Sequence, residues 1–317
     1  MIIIGYTVMC FIFGTTFLAI KIGIDAGAAP FMSAGLRFFL AGVIIYSVLF
    51  FKKKARLSLL FQKEMVITGF CLTFGTFATL YWAEQYISSG IAAILSATGP
   101  IMILLLGKFV LRYKTSKLAI LGCLIGFIGV IVLLLPSFSF EVSLFWFIGC
   151  VLILIGEIGY ASGTLYSRNV IVRFKETSPI ALNAAQMVIG GLMLILLSFF
   201  TETMTLESLG SWNSIGSLVY LIIFGSMIGH SLYYWLVAKT DPLFPSTWLY
   251  ISPLIAIVLG VVFYQEKMSG FMWVGVITII IGVVLVNFSG LKILIKRISN
   301  VGTHLIKKRS LQVKSSK

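Results

Sequence analysis

Apolar residues occur along this chain in long runs separated by short polar breaks. Runs of about 18 or more apolar residues read as helices that cross a bilayer. Ten such runs are recognisable, at residues 2–24, 30–51, 64–86, 88–111, 117–135, 144–167, 179–201, 214–238, 243–264 and 269–291. The connections between them are too short for an inserted soluble domain. The first run starts at Ile2, with no basic segment before it and no small-residue cleavage site after it. That predicts an uncleaved first span and not a signal peptide.

Composition agrees with this pattern. Of 317 residues, 59% are hydrophobic and 11% are charged, against about 25% charged in a soluble domain. The predicted fold class is all-α and integral to the membrane. The charge of +14 orients the spans. Lys52, Lys53, Lys54, Arg56 and Lys63 fall in the second loop; Arg112, Lys114 and Lys117 in the fourth; Arg168, Arg173 and Lys175 in the sixth. The alternate loops 136–143 and 202–213 hold Glu141, Glu202 and Glu207 and no basic residue. Basic loops stay in the cytoplasm. Both termini are therefore expected inside a plasma membrane, the cytoplasmic membrane of a bacterium, which requires an even number of spans. Attraction to the inner leaflet accounts for the charge without nucleic acid. The basic tail 292–317 reads equally well as a surface amphipathic helix or as disordered chain. Cys10, Cys71, Cys123 and Cys150 all lie within apolar runs, with no metal-ligand spacing, so neither metal nor cofactor is expected.

The chain also repeats itself. YWAEQYISSGIAAILSATGP at 81–100 and YWLVAKTDPLFPSTWLYISP at 234–253 both open on Tyr-Trp and close on proline. An offset of 153 superposes them and then pairs Gly107 with Gly260, Ser116 with Ser269, Gly122 with Gly275 and Gly129 with Gly282. That offset sets spans three to five on eight to ten. The repeating unit is five helices, residues 1–143 and 144–291, and an odd unit must re-enter the membrane inverted. Inverted repeats recur in secondary transporters, whose halves rock about a midplane site.

IFGTTFLAIKIG, PFMSAGLRF, AEQYISSGIAAILSATGP and LYISPLIAIVLGVVFYQEKMSGFMWVGVITIIIGVVLV are similar to the helix signatures of the drug/metabolite transporter superfamily, EamA type. Phe13 stands where that family usually has tryptophan, and Tyr113 where many relatives have a glutamate whose counterpart, Glu266, is present. The resemblance implies transport, usually export, of a small organic metabolite such as an amino acid.

Candidate transport residues follow from burial costs. Pro100 and Pro253 free the carbonyls of Ser96 and Leu249, which in a bilayer calls for a protein or aqueous partner. Ser96 with Pro100, and Ser246 and Tyr250 with Pro253, share helix faces that could line a cavity or simply pack closely. Trp82, Trp235 and Trp248 read first as membrane-belt or core residues, with Trp248 the best candidate of the three for that cavity. Thr15 and Thr16 lie in the first signature. Glu157 and His230 fall near midspan, where an ionisable group is costly unless it works; they are candidates for proton coupling, with a hydrogen-bonded core role as the alternative. Lys21, Arg37 and Glu84 map towards the outer mouth as a candidate ion-pair gate, with Lys21 and Asp25 also a plain helical pair.

The expected partners are the lipid bilayer and a small-molecule substrate; a homodimer is compatible with the sequence and nothing in it demands one. An enzyme would need an acid–base or metal constellation that is not present in the sequence. A channel remains the nearer rival, although no ring of charge or carbonyl filter is visible.

Overall fold

The computed structural model describes residues 1–112, 116–135, 143–203, 211–255, 269–286 and 288. Tyr113, Glu141, Glu266 and the tail fall outside this set. Helix α1 is Ile2–Asp25, α2 Pro30–Phe51, α3 Lys63–Ala83 and α4 Ser89–Phe109. Helix α5 is Lys117–Leu134. They are followed by α6 Leu144–Arg173, α7 Pro179–Thr201 and α8 Trp212–Lys239. The helical run 243–255 forms α9, and Gly270–Val286 forms α10. Among the described residues, seven of these are long and apolar enough to cross a membrane: α1–α4 and α6–α8. Helix α6 runs six residues past the predicted end at 167, to Arg173. Its last turns carry Arg168 and Arg173, which held the apolar-run boundary short.

Serine hydroxyls start several helices by accepting a first-turn amide, which satisfies one of the donors that a helix N-terminus leaves open. Ser88, Ser143, Ser178 and Ser211 do so for α4, α6, α7 and α8. Ser116 accepts from Ala119 at 3.2 Å, and Ser269 from Met272 at 3.3 Å, an equivalent cap 153 residues later. Helix α2 begins at a proline and is capped from another element. The Glu202 carboxylate accepts the Phe31 amide at 2.7 Å and the Met32 amide at 3.0 Å, and Ser198 steadies it at 2.5 Å. Glu202→Ala should therefore cost about 1–2 kcal/mol, read as a lowered Tm in detergent. Glu202→Gln, which keeps one acceptor, should lose about half of that.

Of the helix pairs that touch at backbone distance, two show the repeat offset directly. A Cβ placed on Gly35 would lie 2.8 Å from the Ile195 nitrogen, and one on Gly42 2.8 Å from the Val188 nitrogen. As the number rises in α2 it falls in α7, so the two run antiparallel. The residues also exchange under the 153 offset (188 − 35 and 195 − 42), so each contact is the other with the helices swapped. The second pair behaves alike. Gly122 meets the Val286 nitrogen at 2.6 Å in α5–α10, and Gly275 meets the Leu133 backbone at 2.6 Å; 275 − 122 and 286 − 133 are again 153. Only glycine lets two backbones approach so far, which is the small-residue logic of helix packing in lipid.

Helices α3 and α8 each contain a π-wound stretch, at Gly69–Gly75 and Leu221–His230. Shifted by 153, the first becomes 222–228, inside the second. The sequence reading did not foresee these stretches. A π turn widens the helix and re-aims side chains, and such turns gather at functional sites. Here they lead into Thr76 and Phe77 in one helix and end at His230 in the other.

The proline positions act unequally. Helix α4 loosens at Ala97–Thr98, directly before Gly99–Pro100, with the Thr98 hydroxyl on the Leu95 carbonyl at 2.7 Å. In α9 the break falls at Thr247 and not at Pro253, with the Thr247 hydroxyl on the Phe244 carbonyl at 2.7 Å.

Candidate functional site

Helices α1, α2, α3, α6, α7, α8 and α9 surround a central cavity of about 50 Å³. Its wall is aromatic with a few fixed polar groups. Phe13 packs on Trp248 with centroids 4.5 Å apart, and Phe17 stacks on the same indole at 6.1 Å. The phenylalanine where tryptophan is usual in relatives thus occupies the wall itself. The His230 ring sits among Phe13, Phe38 and Phe77, at 5.1, 5.3 and 5.7 Å.

Polar groups enter this wall in fixed positions. Trp248 Nε1 donates to the Tyr160 hydroxyl at 3.3 Å, Tyr160 donates to Tyr233 at 2.9 Å, and Tyr233 pairs with Thr164 at 2.9 Å. Gln186 accepts from Thr73 at 2.7 Å. None of Tyr160, Tyr233 or Gln186 was singled out from sequence. The available signal was a hydroxyl or amide inside an apolar span, which also fits routine packing.

Glu157 is 5% exposed and lies between α4 and α9. The Ser96 hydroxyl lies beside its carboxylate. Its Oε2 has no hydrogen-bond partner and would lie 2.5 Å from a Cβ on Gly99. Gly99 therefore makes room for the carboxylate, and Pro100 is buried just behind it. Ser96, Pro100 and Glu157 are brought together as one unit on the cavity flank.

Arg37 is 1% exposed and lines the same cavity. Its Nε donates to Ser226 at 2.9 Å and its NH1 to Tyr81 at 3.2 Å; the guanidinium lies 4.7 Å from the Phe38 ring and 5.1 Å from the Phe77 ring. No carboxylate is within salt-bridge range of it among the described residues. Among the described residues no salt bridge joins the gate trio. Lys21 donates to the Glu84 carbonyl at 2.9 Å and pairs with Asp25 at 2.9 Å. The Glu84 carboxylate is fully buried with neither oxygen bonded. Lys21 touches the Glu84 backbone, whereas Arg37 belongs to the cavity wall.

The remaining candidates divide. Thr16 and Trp248 line the cavity. Thr15 turns aside to the Tyr220 hydroxyl at 2.5 Å. Ser246 donates to the Leu243 carbonyl at 2.7 Å, within its own turn. Tyr250 faces α5, where its hydroxyl donates to the Cys123 carbonyl at 3.1 Å and its ring rests on Gly126. Pro253, one turn on, is buried and outside the cavity lining. The helix face drawn through Ser246, Tyr250 and Pro253 therefore packs against neighbours, while Trp248 and Leu249 face inward. A face drawn on an ideal helix does not survive the break at Thr247.

The bundle and its cavity have counterparts among known proteins. The EamA-like transporter family matches residues 1–135 and 147–288. The chain belongs to that family. Within reach of this EamA-like chain, the inner membrane transporter YedA of Escherichia coli (strain K12) is 31% identical over 281 residues, which is 87% of each chain. Protein PagO of Salmonella typhimurium is 28% identical over 280 residues, 86% of this chain and 88% of its own. A solved crystal structure at 19% identity superposes with a TM-score of 0.72, covering 90% of this chain and 96% of that one, which establishes a shared fold. This EamA-like protein is accordingly a multi-pass membrane transporter, and its membrane-facing partner is the lipid bilayer.

Proposed function

We propose that the protein is a secondary carrier that moves a small organic metabolite across the cytoplasmic membrane by alternating access between two inverted five-helix halves. The first half is residues 1–143 and the second 144–291; both termini and the basic tail are cytoplasmic. Several observations support the inversion: the exchange contacts of α2–α7 and α5–α10 at one offset, the antiparallel run of both pairs, and the matching π stretches. An axis that exchanges antiparallel helices lies across them, in the membrane plane.

The observation that carries the carrier reading is the cavity itself. Its walls come from both halves, yet at about 50 Å³ it is far below the roughly 300–1,000 Å³ of a pocket that holds a metabolite. Walls this complete around so small a volume describe a closed state, and a solute enters only when the halves part on one side. The lining favours a substrate with an apolar or ring-bearing body and one or two polar groups. Export, as is usual in such relatives, is the direction we assign. Proton coupling through Glu157 and His230 is the finer proposal, since each is an ionisable group placed in the cavity wall.

Exometabolomics on cells overproducing the intact protein or a Glu157→Gln, His230→Ala variant tests this. A metabolite should accumulate outside only with the intact protein. Equal accumulation with both would retain export and discard the two residues. Reconstituted protein should then show saturable counterflow of that labelled metabolite; linear, unsaturable flux would favour a channel.

A further inference from the structure

The end of the bundle that carries Arg56, Lys63, Arg168 and Arg173 holds a row of buried polar groups with unfilled valences. The row starts at the cavity wall, where Gln186 Nε2 donates to Asn183 Oδ1 at 3.1 Å. Asn183 is fully buried, and its own amide nitrogen has no partner. Tyr234, also on the wall, brings its hydroxyl beside that of Thr68. The Thr68 proton already goes to the Glu64 carbonyl at 2.7 Å, and the Tyr234 hydroxyl is left unbonded. Glu64 is 2% exposed; one carboxylate oxygen accepts from Arg173 at 2.5 Å and the other has no partner. Arg173 is 65% exposed, so the row reaches from the cavity to the surface.

A permanently dry helix end does not keep three unpaired buried polar atoms, because each forfeits its hydration for nothing. Irregular polar satisfaction at membrane depth persists where water enters for part of the time. The ion pair joins α3 to α6, one helix from each half. At the opposite end the equivalent position is Ser217, 153 residues after Glu64. It joins α8 to α1 through a neutral hydrogen bond to the Ala19 carbonyl at 2.5 Å. The two ends are thus held by helix pairs at equivalent positions of the 153-residue offset, α3–α6 and α8–α1, with different chemistry.

We propose that Glu64 and Arg173 latch the gate at the basic end, and that the row Gln186, Asn183, Tyr234 and Thr68 is the closed stretch of the solute path behind it. The assignment rests on the alternating-access reading above. A pair with one exposed member is weak enough to open on every cycle, and its loss frees the end of α3 from the end of α6. Water then reaches the unpaired atoms, and the cavity opens to the basic side alone. Removing the Glu64 charge leaves the contacts of the other end, Ser217 with Ala19 and Lys21 with Asp25, in place.

The test uses Asn183→Cys and a membrane-impermeant methanethiosulfonate, applied to vesicles of either orientation. Full-length protein with its four native cysteines supplies the background rate. With Asn183→Cys in place, Glu64→Gln should raise labelling from the basic face about fivefold, as expected for losing a partly exposed pair. Labelling from the other face should not change. The exchange Glu64→Arg with Arg173→Glu should bring the rate back towards that of the intact pair, which also shows that the fold is intact. An unchanged rate overturns the latch. So does an equal rise from both faces, or failure of the exchange to restore closure. Counterflow separates this from the parent reading: one-sided labelling without saturable counterflow keeps the latch and removes the carrier, and the reverse keeps the carrier and removes the latch.

Discussion

Arg37→Met should abolish transport, by at least about a hundredfold, while leaving the folded protein nearly as stable as before. The energetic terms are close to cancelling. Burying a guanidinium costs several kcal/mol. Against that stand two hydrogen bonds to a charged group, at about 1.5–3 kcal/mol each. Two ring faces within reach add about 0.5–2 kcal/mol each. Methionine fills much of the stem volume and removes the desolvation cost, but it leaves Ser226 and Tyr81 without their donor. We expect Tm in detergent to shift by less than about 5 °C, for a net change of about 1–2 kcal/mol. We assign this charge, held in the cavity wall at nearly zero net stability, to contact with the solute. Arg37→Lys should not rescue, because an ammonium cannot lie across Phe38 and Phe77 while reaching both hydroxyls. A variant that loses Tm by 15 °C or more, or one that transports normally, would sink this assignment.

Gly282→Val should have the largest effect on assembly. A Cβ at this position would sit 2.5 Å from the Gly126 Cα, with backbone on both sides and no flexible side chain to yield. Overpacking against movable side chains costs about 1–3 kcal/mol; here α5 and α10 must separate, so more is expected. Tyr250, which rests on Gly126 from α9, would lose its seat as well. The readout is the monodisperse fraction on size exclusion and the Tm of whatever remains, both of which should collapse. Gly216→Ala is the matched control. No atom lies within 4 Å of a Cβ there, so relief of glycine's helix penalty should leave stability unchanged or slightly raised. Equal behaviour of the two variants would mean that the α5–α10 seam is not the close contact described.

Much of the scaffold could be read from the residues, because the bilayer restricts the options. A segment in lipid must satisfy its own backbone, so an apolar run of sufficient length is a helix. That is why the helix positions were legible, and why α6 was misjudged only at its end, where Arg168 and Arg173 extend the helix beyond the apolar run. The offset of 153 was legible from Tyr81, Pro100, Gly122 and their partners. It also holds at Gly35 and Gly42, which were not used to find it.

The site was legible only in part. Glu157 and His230 were marked by type and depth, Trp248 as a candidate aromatic and Thr16 by its place in the first signature, and all four line the cavity. Arg37 was recognised as costly but assigned to the mouth. A helix turn brings its guanidinium inward between two rings, which depth along the chain cannot reveal. Tyr250 and Ser246 were misjudged because helical phase was extrapolated across a break. The π stretches in α3 and α8 rotate everything after them, and no local residue pattern announced either one. Sequence by itself therefore determined where the long apolar helices run and which loops are basic, since each of these depends on composition summed over a whole segment. Only the tertiary structure decided which side chains meet. That depends on helix phase, set by breaks and by the closest glycine contacts, where an error of one residue turns a side chain by about 100°.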